Sequence, residues 1–226
     1  MAAPALHVEG LVKRFRDPEG GERTVVDLPA LDVAAGEAVA LTGESGAGKT
    51  TLLHVVAGIL PADAGTVLVG GEPMTGLAEA ARDRLRARRV GYVFQTFNLL
   101  PALSALENVE LGMSFRPGVA RPREAARAAL VRVGLADRLG HRPDELSTGQ
   151  QQRVAIARAL AGTPTLVLAD EPTASLDRRN AAACLDLLLA FAREAGAGLL
   201  VVSHDPDTLA RFARVVRLEA PAEAVS

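Results

Sequence analysis

Three short stretches of this 226-residue chain hold the residue types that act on phosphate. The first is Gly43-Glu44-Ser45-Gly46-Ala47-Gly48-Lys49-Thr50, followed by Thr51. It fits G-x-x-x-x-G-K-[ST], and it stands between the aliphatic run Ala38–Leu41 and a helical pattern, the setting that a phosphate-cradling loop requires. Glycines let the backbone N–H groups from Ser45 to Thr50 close round phosphate oxygens, where a helix start adds positive potential. Lys49 is predicted to reach the β- and γ-phosphates, and the Thr50 hydroxyl to ligate Mg²⁺. Lys13 and Lys49 are the only lysines among 25 basic residues. An otherwise arginine-rich chain keeps a compact ammonium where a point charge suits phosphate.

The second stretch is Leu166-Val-Leu-Ala-Asp170-Glu171. An aliphatic strand delivers two carboxylates at its carboxyl end, where ligands of open parallel sheets bind. Asp170 is expected to hold Mg²⁺ through water, and Glu171 to orient and deprotonate the attacking water. Alone, such residues would be an acidic strand end; the glycine loop makes them half of a nucleotide site. The third stretch is Leu146-Ser147-Thr148-Gly149-Gln150-Gln151-Gln152-Arg153. Ser147 reads as the N-cap of a helix over Gly149–Ala161, and such a helix start stabilises an anion.

Elements that position these residues follow from periodicity. Short strands are predicted at Leu6–Val12, Thr24–Val26, Ala30–Val33, Ala38–Leu41 and Gly65–Val69, and a buried strand at Val90–Phe94. Helices are predicted over Lys49–Leu60, stopping at Pro61, and over Glu79–Arg89. From Phe97 to Thr163 only helical patterns occur: Ala105–Met113, Pro122–Val133 and Gly149–Ala161. Strands return at Leu166–Ala169, Leu199–Ser203 and Val215–Leu218, with helices over Arg178–Ala195 and Asp207–Ala213. The pattern predicts an α/β fold, a parallel core interrupted by an all-helical insertion. Arg116 to Pro122 reads as a surface loop.

With the three stretches in this order, the chain resembles the ATP-binding subunits of ABC transporters over nearly all its length. The resemblance implies a P-loop NTPase (RecA-like) core with an N-terminal antiparallel β subdomain and an inserted α-helical subdomain. Residues 1–226 would form one domain, with 1–96 and 164–226 as core and 97–163 as the helical part. It implies ATP and Mg²⁺ as ligands and a head-to-tail homodimer in the ATP-bound state. Ser147, Thr148, Gly149 and Gln150 would then meet the γ-phosphate held by the opposite copy. Thr148 stands where the family usually has glycine, so its side chain must point away from that interface or narrow it. Gln95 corresponds to a glutamine that senses Mg²⁺ and water and faces the transport partner. Ser175-Leu-Asp177 resembles the loop that touches the other copy's site, His204 the histidine at the γ-phosphate, and Phe15 the aromatic that stacks on adenine. Residues Gln95 to Val109 are similar to the lipoprotein-release, macrolide-export and cell-division group. That group implies a separate transmembrane permease, with this chain peripheral on the cytoplasmic side of the inner membrane. A low-turnover regulatory module of a membrane complex is the alternative.

Composition agrees with this and excludes other classes. With 49% apolar residues the chain buries a full core. A net charge of −2 argues against nucleic acid as the main partner. The basic run Arg82–Arg89 reads as a solvated helix face. One cysteine, Cys184, excludes an internal disulfide and reads as a buried thiol. His7, His54 and His141 lack ligand spacing, so no zinc site is expected. The start has no basic leader pattern, and no apolar run approaches the roughly 20 residues that span a bilayer.

Overall fold

The computed structural model describes residues 3–16, 20–116 and 118–221. Met1-Ala2, read for a leader, and Pro117 of the predicted surface loop lie outside them.

Two sheets share the work. Strands β1 (Leu6–Arg16), β2 (Glu22–Val33), β4 (Ala64–Val69) and β5 (Glu72–Pro73) form an antiparallel sheet in the order β2-β1-β4-β5. The two strands predicted on either side of Pro29 are one strand, β2. Proline lacks the N–H that a central ladder needs, but β2 is an edge, where that loss is tolerated. Strand β1 also runs on past Val12, so Phe15 lies within it, opposite Arg23.

The second sheet is parallel, in the order β6-β7-β8-β3-β9, built from β3 (Ala38–Thr42), β6 (Val90–Val93), β7 (Leu166–Asp170), β8 (Gly198–Val202) and β9 (Arg214–Arg217). Every residue of β7 and β8 is buried, because apolar layers cover both faces. Leu166 and Leu168 face one core with Leu52, Leu53 and the antiparallel sheet. Val167 and Ala169 face the other, among the helices. Alternation along one strand thus serves two cores.

Helix α1 (Lys49–Val56) follows β3, and α2 (Glu79–Arg89) precedes β6. Between β6 and β7 stand α3 (Ala105–Ser114), α4 (Pro122–Arg132), a 3₁₀ turn at Pro143–Glu145 and α5 (Thr148–Leu160). Helix α6 (Arg178–Glu194) precedes β8, and the single turn α7 (Pro206–Leu209) precedes β9. Helix α1 ends at Val56, short of the predicted Leu60. Gly58 adopts φ 70°, and the N–H groups of Gly58 and Ile59 return to the Val55 and His54 carbonyls. That left-handed cap closes the helix before Pro61 can. Helix α7 is likewise shorter than predicted: Asp205 caps its start, and Phe212 turns into the core as the chain leaves for β9.

Candidate nucleotide site

Because the sheet is parallel, the carboxyl ends of β3, β6, β7 and β8 open on one side, and a cleft of about 620 Å³ forms there. Gly43, Ser45, Gly46, Gly48, Lys49, Thr50 and Thr51 line it, together with Gln95, Asp170, Glu171 and His204. Residues from four separate stretches of sequence are thus gathered around one space. Two loop residues point elsewhere. Ala47 is buried beneath the loop, and Glu44 turns outward, 3.6 Å from Arg217.

Gly48 starts α1 in the left-handed region at φ 85°. A β-carbon there would lie 2.2 Å from the Val25 carbonyl oxygen, so both backbone and space require glycine. Lys49 Nζ donates to the carbonyls of Gly43 (2.9 Å) and Glu44 (2.8 Å), which holds the ammonium over the loop's own backbone.

Asp170 ends β7 at 5% exposure, its carboxylate facing the cleft. Among the described residues no lysine or arginine pairs with it. An unpaired buried carboxylate, a threonine hydroxyl and a glutamine amide make a hard oxygen set, the kind that Mg²⁺ takes while keeping several waters. The residues present therefore fit the metal.

Glu171 follows at φ 45°, left-handed backbone that costs a non-glycine residue about 1–2 kcal/mol. The turn is held: Glu171 N–H donates to the Val202 carbonyl at 3.0 Å, and Ala174 N–H donates to the Glu171 carbonyl at 3.1 Å. His204 Nδ1 lies 2.7 Å from Glu171 Oε1. With the carboxylate ionised, Nδ1 carries the proton and donates it. The His204 ring is exposed while the Glu171 side chain is largely buried, so the pair joins cleft wall to solvent.

Phe15 does not line the cleft, whose wall on that side is Val25. It stands 41% exposed on β1, with Lys13 Nζ 5.3 Å from its ring centre. Asp63 anchors this end of β1: its carboxylate accepts from Arg14 N–H (2.5 Å) and lies 3.1 Å from Lys13 Nζ. Burial pushes that carboxyl's pKa up, but the Arg14 N–H and the Lys13 ammonium outweigh it and hold the group below the usual carboxylate range.

Ser147, Thr148, Gly149 and Gln150 are not brought to the cleft of their own chain. Ser147 caps α5 through a reciprocal box: its hydroxyl accepts from Gln150 N–H, and Gln150 Oε1 accepts from Ser147 N–H at 2.9 Å. Ser147 and Thr148 are exposed at the first turn. A β-carbon on Gly149 would press to 3.3 Å against the Asn180 amide, so the second glycine position is tight where Thr148 is not. Asp177 caps α6, accepting from Asn180 N–H at 3.0 Å; that bond holds its pKa low.

Two residues that the motifs did not single out tie into this site. Gln152 is fully buried on α5 and donates from Nε2 to the Pro172 carbonyl at 2.7 Å, one residue beyond Glu171. Arg158, also on α5, donates to the carbonyls of Phe97 (2.6 Å) and Asn98 (2.5 Å), just beyond Gln95. Phe97 and Asn98 both have positive φ, 56° and 49°. Burial pushes the Arg158 pKa down, and among the described residues no carboxylate is paired with it. A glutamine in Gln150–Gln152 and an arginine in an arginine-rich chain carry no local signal of such contacts.

Comparison with known proteins matches residues 27–174 to the family model described as ABC transporter. An Escherichia coli (strain K12) protein named "Uncharacterized ABC transporter ATP-binding protein YbbA" is 48% identical over 198 residues, 87% of each chain. The "Lipoprotein-releasing system ATP-binding protein LolD" of Cereibacter sphaeroides is 46% identical over 220 residues, 95% of this chain and 96% of that one. Among solved structures, a dimeric post-hydrolysis state of the ATP-binding cassette MJ0796 bound to ADP and Pi aligns with TM-score 0.87 and 33% identity. It covers 96% of this chain and 97% of that one.

Proposed function

The chain belongs to the ABC transporter family as an ATP-binding, ATP-hydrolysing subunit, and from that premise we propose that two copies pair head to tail, enclose ATP and drive a separate membrane permease. One observation carries the reading. Lys49, Asp170 and Glu171 share a cleft, whereas the helix start at Ser147–Gln150, exposed at Ser147 and Thr148, is outside it. A γ-phosphate in that cleft meets those groups only when a second copy presents them. The dimeric state of the MJ0796 cassette supports such pairing.

Within the pair, the loop N–H groups, the α1 start and Lys49 neutralise the phosphates of ATP. Mg²⁺, which Thr50, Gln95 and Asp170 would hold, supplies further charge neutralisation when bound. Water attacks the γ-phosphorus and the bond to the bridging oxygen breaks, releasing ADP and phosphate. The water proton passes to the Glu171 carboxylate, which His204 holds in place. Ser147 and Gly149 of the second copy complete the shell around the transferred group, with Asp177 at its edge.

LolD relatives are named for lipoprotein release, which favours export or extraction over import for this chain. Permease docking fits a groove of about 500 Å³ beside α2 and α3. Phe94 and Phe115 line it, the latter 69% exposed, with Arg86 and Arg116 at the same wall. Such a mixed aromatic and basic face suits a permease loop at the cytoplasmic surface of the membrane. Among the described residues no helix is long and apolar enough to cross the bilayer itself.

Turnover is expected to rise with the square of protein concentration while monomers predominate, because each site needs two chains. ATP hydrolysis across a dilution series, alongside mass by light scattering, measures this. Full specific activity in a strictly monomeric preparation would refute the pairing.

Phe15→Ala is expected to weaken ATP binding by about 1–3 kcal/mol, roughly 5- to 150-fold in Kd, the worth of one base–aromatic stack. Phe15→Trp should restore it. Equal affinities for the three proteins by fluorescence titration would move the adenine elsewhere.

A further inference from the structure

Helix α5 is joined at two points to loops beside the cleft and presents its start to the outside. Its first turn presents Ser147 outward. About 8 Å further along the axis, Gln152 grips the Pro172 carbonyl, next to Glu171. About 9 Å beyond that, Arg158 grips the Phe97 and Asn98 carbonyls, two and three residues after Gln95.

Neither grip is explained by packing. Gln152 is completely buried, and its Oε1 has no hydrogen-bond partner, so an apolar side chain would fill that place at less desolvation cost. What it supplies is one donor to one carbonyl. Arg158 is a half-buried cation whose two terminal nitrogens serve two consecutive left-handed carbonyls. Room is made for the second: a β-carbon on Gly112 would meet Arg158 Cγ at 2.8 Å, and one on Gly91 would meet the Ala159 carbonyl oxygen at 2.3 Å. The helix backbone therefore lies directly on β6, the strand that delivers Gln95.

We infer that Gln152 and Arg158 are positioning residues that make α5 a rigid tie between the partner's nucleotide and this chain's own Glu171 and Gln95. This rests on the head-to-tail pairing proposed above. In the paired state a γ-phosphate bound in the other copy fixes the α5 start. A helix transmits that placement along its axis, because its core-facing residues Val154, Ile156 and Ala157 are fully buried and leave it no room to bend. Gln152 then sets the turn after β7, and Arg158 sets the turn after β6. One site reports its occupancy to the other by geometry. Backbone carbonyls suit this purpose, since their position does not depend on a rotamer.

The test uses the 226-residue chain with ATP and Mg²⁺, comparing wild type with Gln152→Met, which keeps length and packing but removes the donor, and with Arg158→Ala. Nucleotide affinity at concentrations where chains are monomeric is expected to stay within about twofold, while kcat falls by about 10- to 100-fold, the cost of a misplaced group remote from the chemistry. Arg158→Lys, with a point charge in place of a fork, should recover only part of the loss. Placed in a Glu171→Gln background, both variants should still form the ATP-bound dimer. Unchanged kcat overturns the inference. So does an affinity loss that matches the kcat loss, or loss of the ATP-bound dimer, since either assigns these residues to binding or assembly. Should Arg158→Ala fail to melt cooperatively, Gln152→Met and Arg158→Lys decide the matter. If wild type neither pairs with ATP nor turns it over, the pairing itself has failed, an outcome separate from equal behaviour of wild type and variants.

Discussion

Glu171→Gln is expected to lower ATP turnover by about 10²–10⁴-fold, the contribution of a positioned general base, while nucleotide affinity stays near wild type. The replacement is nearly isosteric, and the left-handed turn at φ 45° is held by backbone bonds that it leaves intact. The amide accepts no proton from water at any working pH, but it still offers an oxygen to His204 Nδ1, now 2.7 Å from the carboxylate. Binding and pairing therefore continue while chemistry stops, and the ATP-bound dimer should accumulate. Steady-state phosphate release and the elution position with ATP give both numbers. Equal turnover in the two proteins would remove Glu171 from the base role and leave the cleft without an identified one.

A second large effect concerns the other half of the site. Ser147→Arg should lower turnover by about 10²–10³-fold, as loss of a donor aimed at developing negative charge does, and leave ATP affinity of the monomer unchanged. Ser147 also caps α5, and losing a cap costs about 1 kcal/mol. Ser147→Asp separates the two roles, because aspartate caps as well as serine but sets a carboxylate against the phosphate. It should be as inactive as the arginine variant yet melt like wild type. Mixing Ser147→Arg with Lys49→Ala in equal amounts then gives a sharper result. In a mixed pair one site has an intact loop from the first chain and an intact helix start from the second. Half the dimers are mixed and each holds one sound site, so activity should rise well above that of either protein alone, with roughly a quarter of wild type as the ceiling for independent sites and a lower value where α5 couples them. No recovery on mixing would mean that the sites are not shared between chains.

Apart from Glu44 and Ala47, the glycine-loop and strand-end residues read from sequence as one phosphate site line one cleft, and the reason is physical. Strand-end loops of a parallel sheet must converge, so a glycine loop after β3 and carboxylates after β7 meet whatever lies between them in sequence. Local chemistry carried the caps as well, with Ser147 opening its helix as its type demands. Strand β5 is too short for periodicity to show, although Gly70-Gly71 between Val69 and Glu72 is a hairpin signal. Helix α1 is shorter than its pattern because Gly58, and not Pro61, closes it. Other features had no local trace. Glu171's left-handed backbone follows from the turn that seats it against Val202. The bonds of Gln152 to Pro172 and of Arg158 to Phe97 span 20 and 61 residues of sequence, so only the folded chain reveals them.

Pro29 interrupts the outer rim of the antiparallel sheet midway along β2. At that position β2 has no N–H to offer any neighbouring strand. An edge strand with a proline at its middle is a poor template for fibrous self-association. That matters for a chain proposed above to pair with its own copies through one surface and not through another.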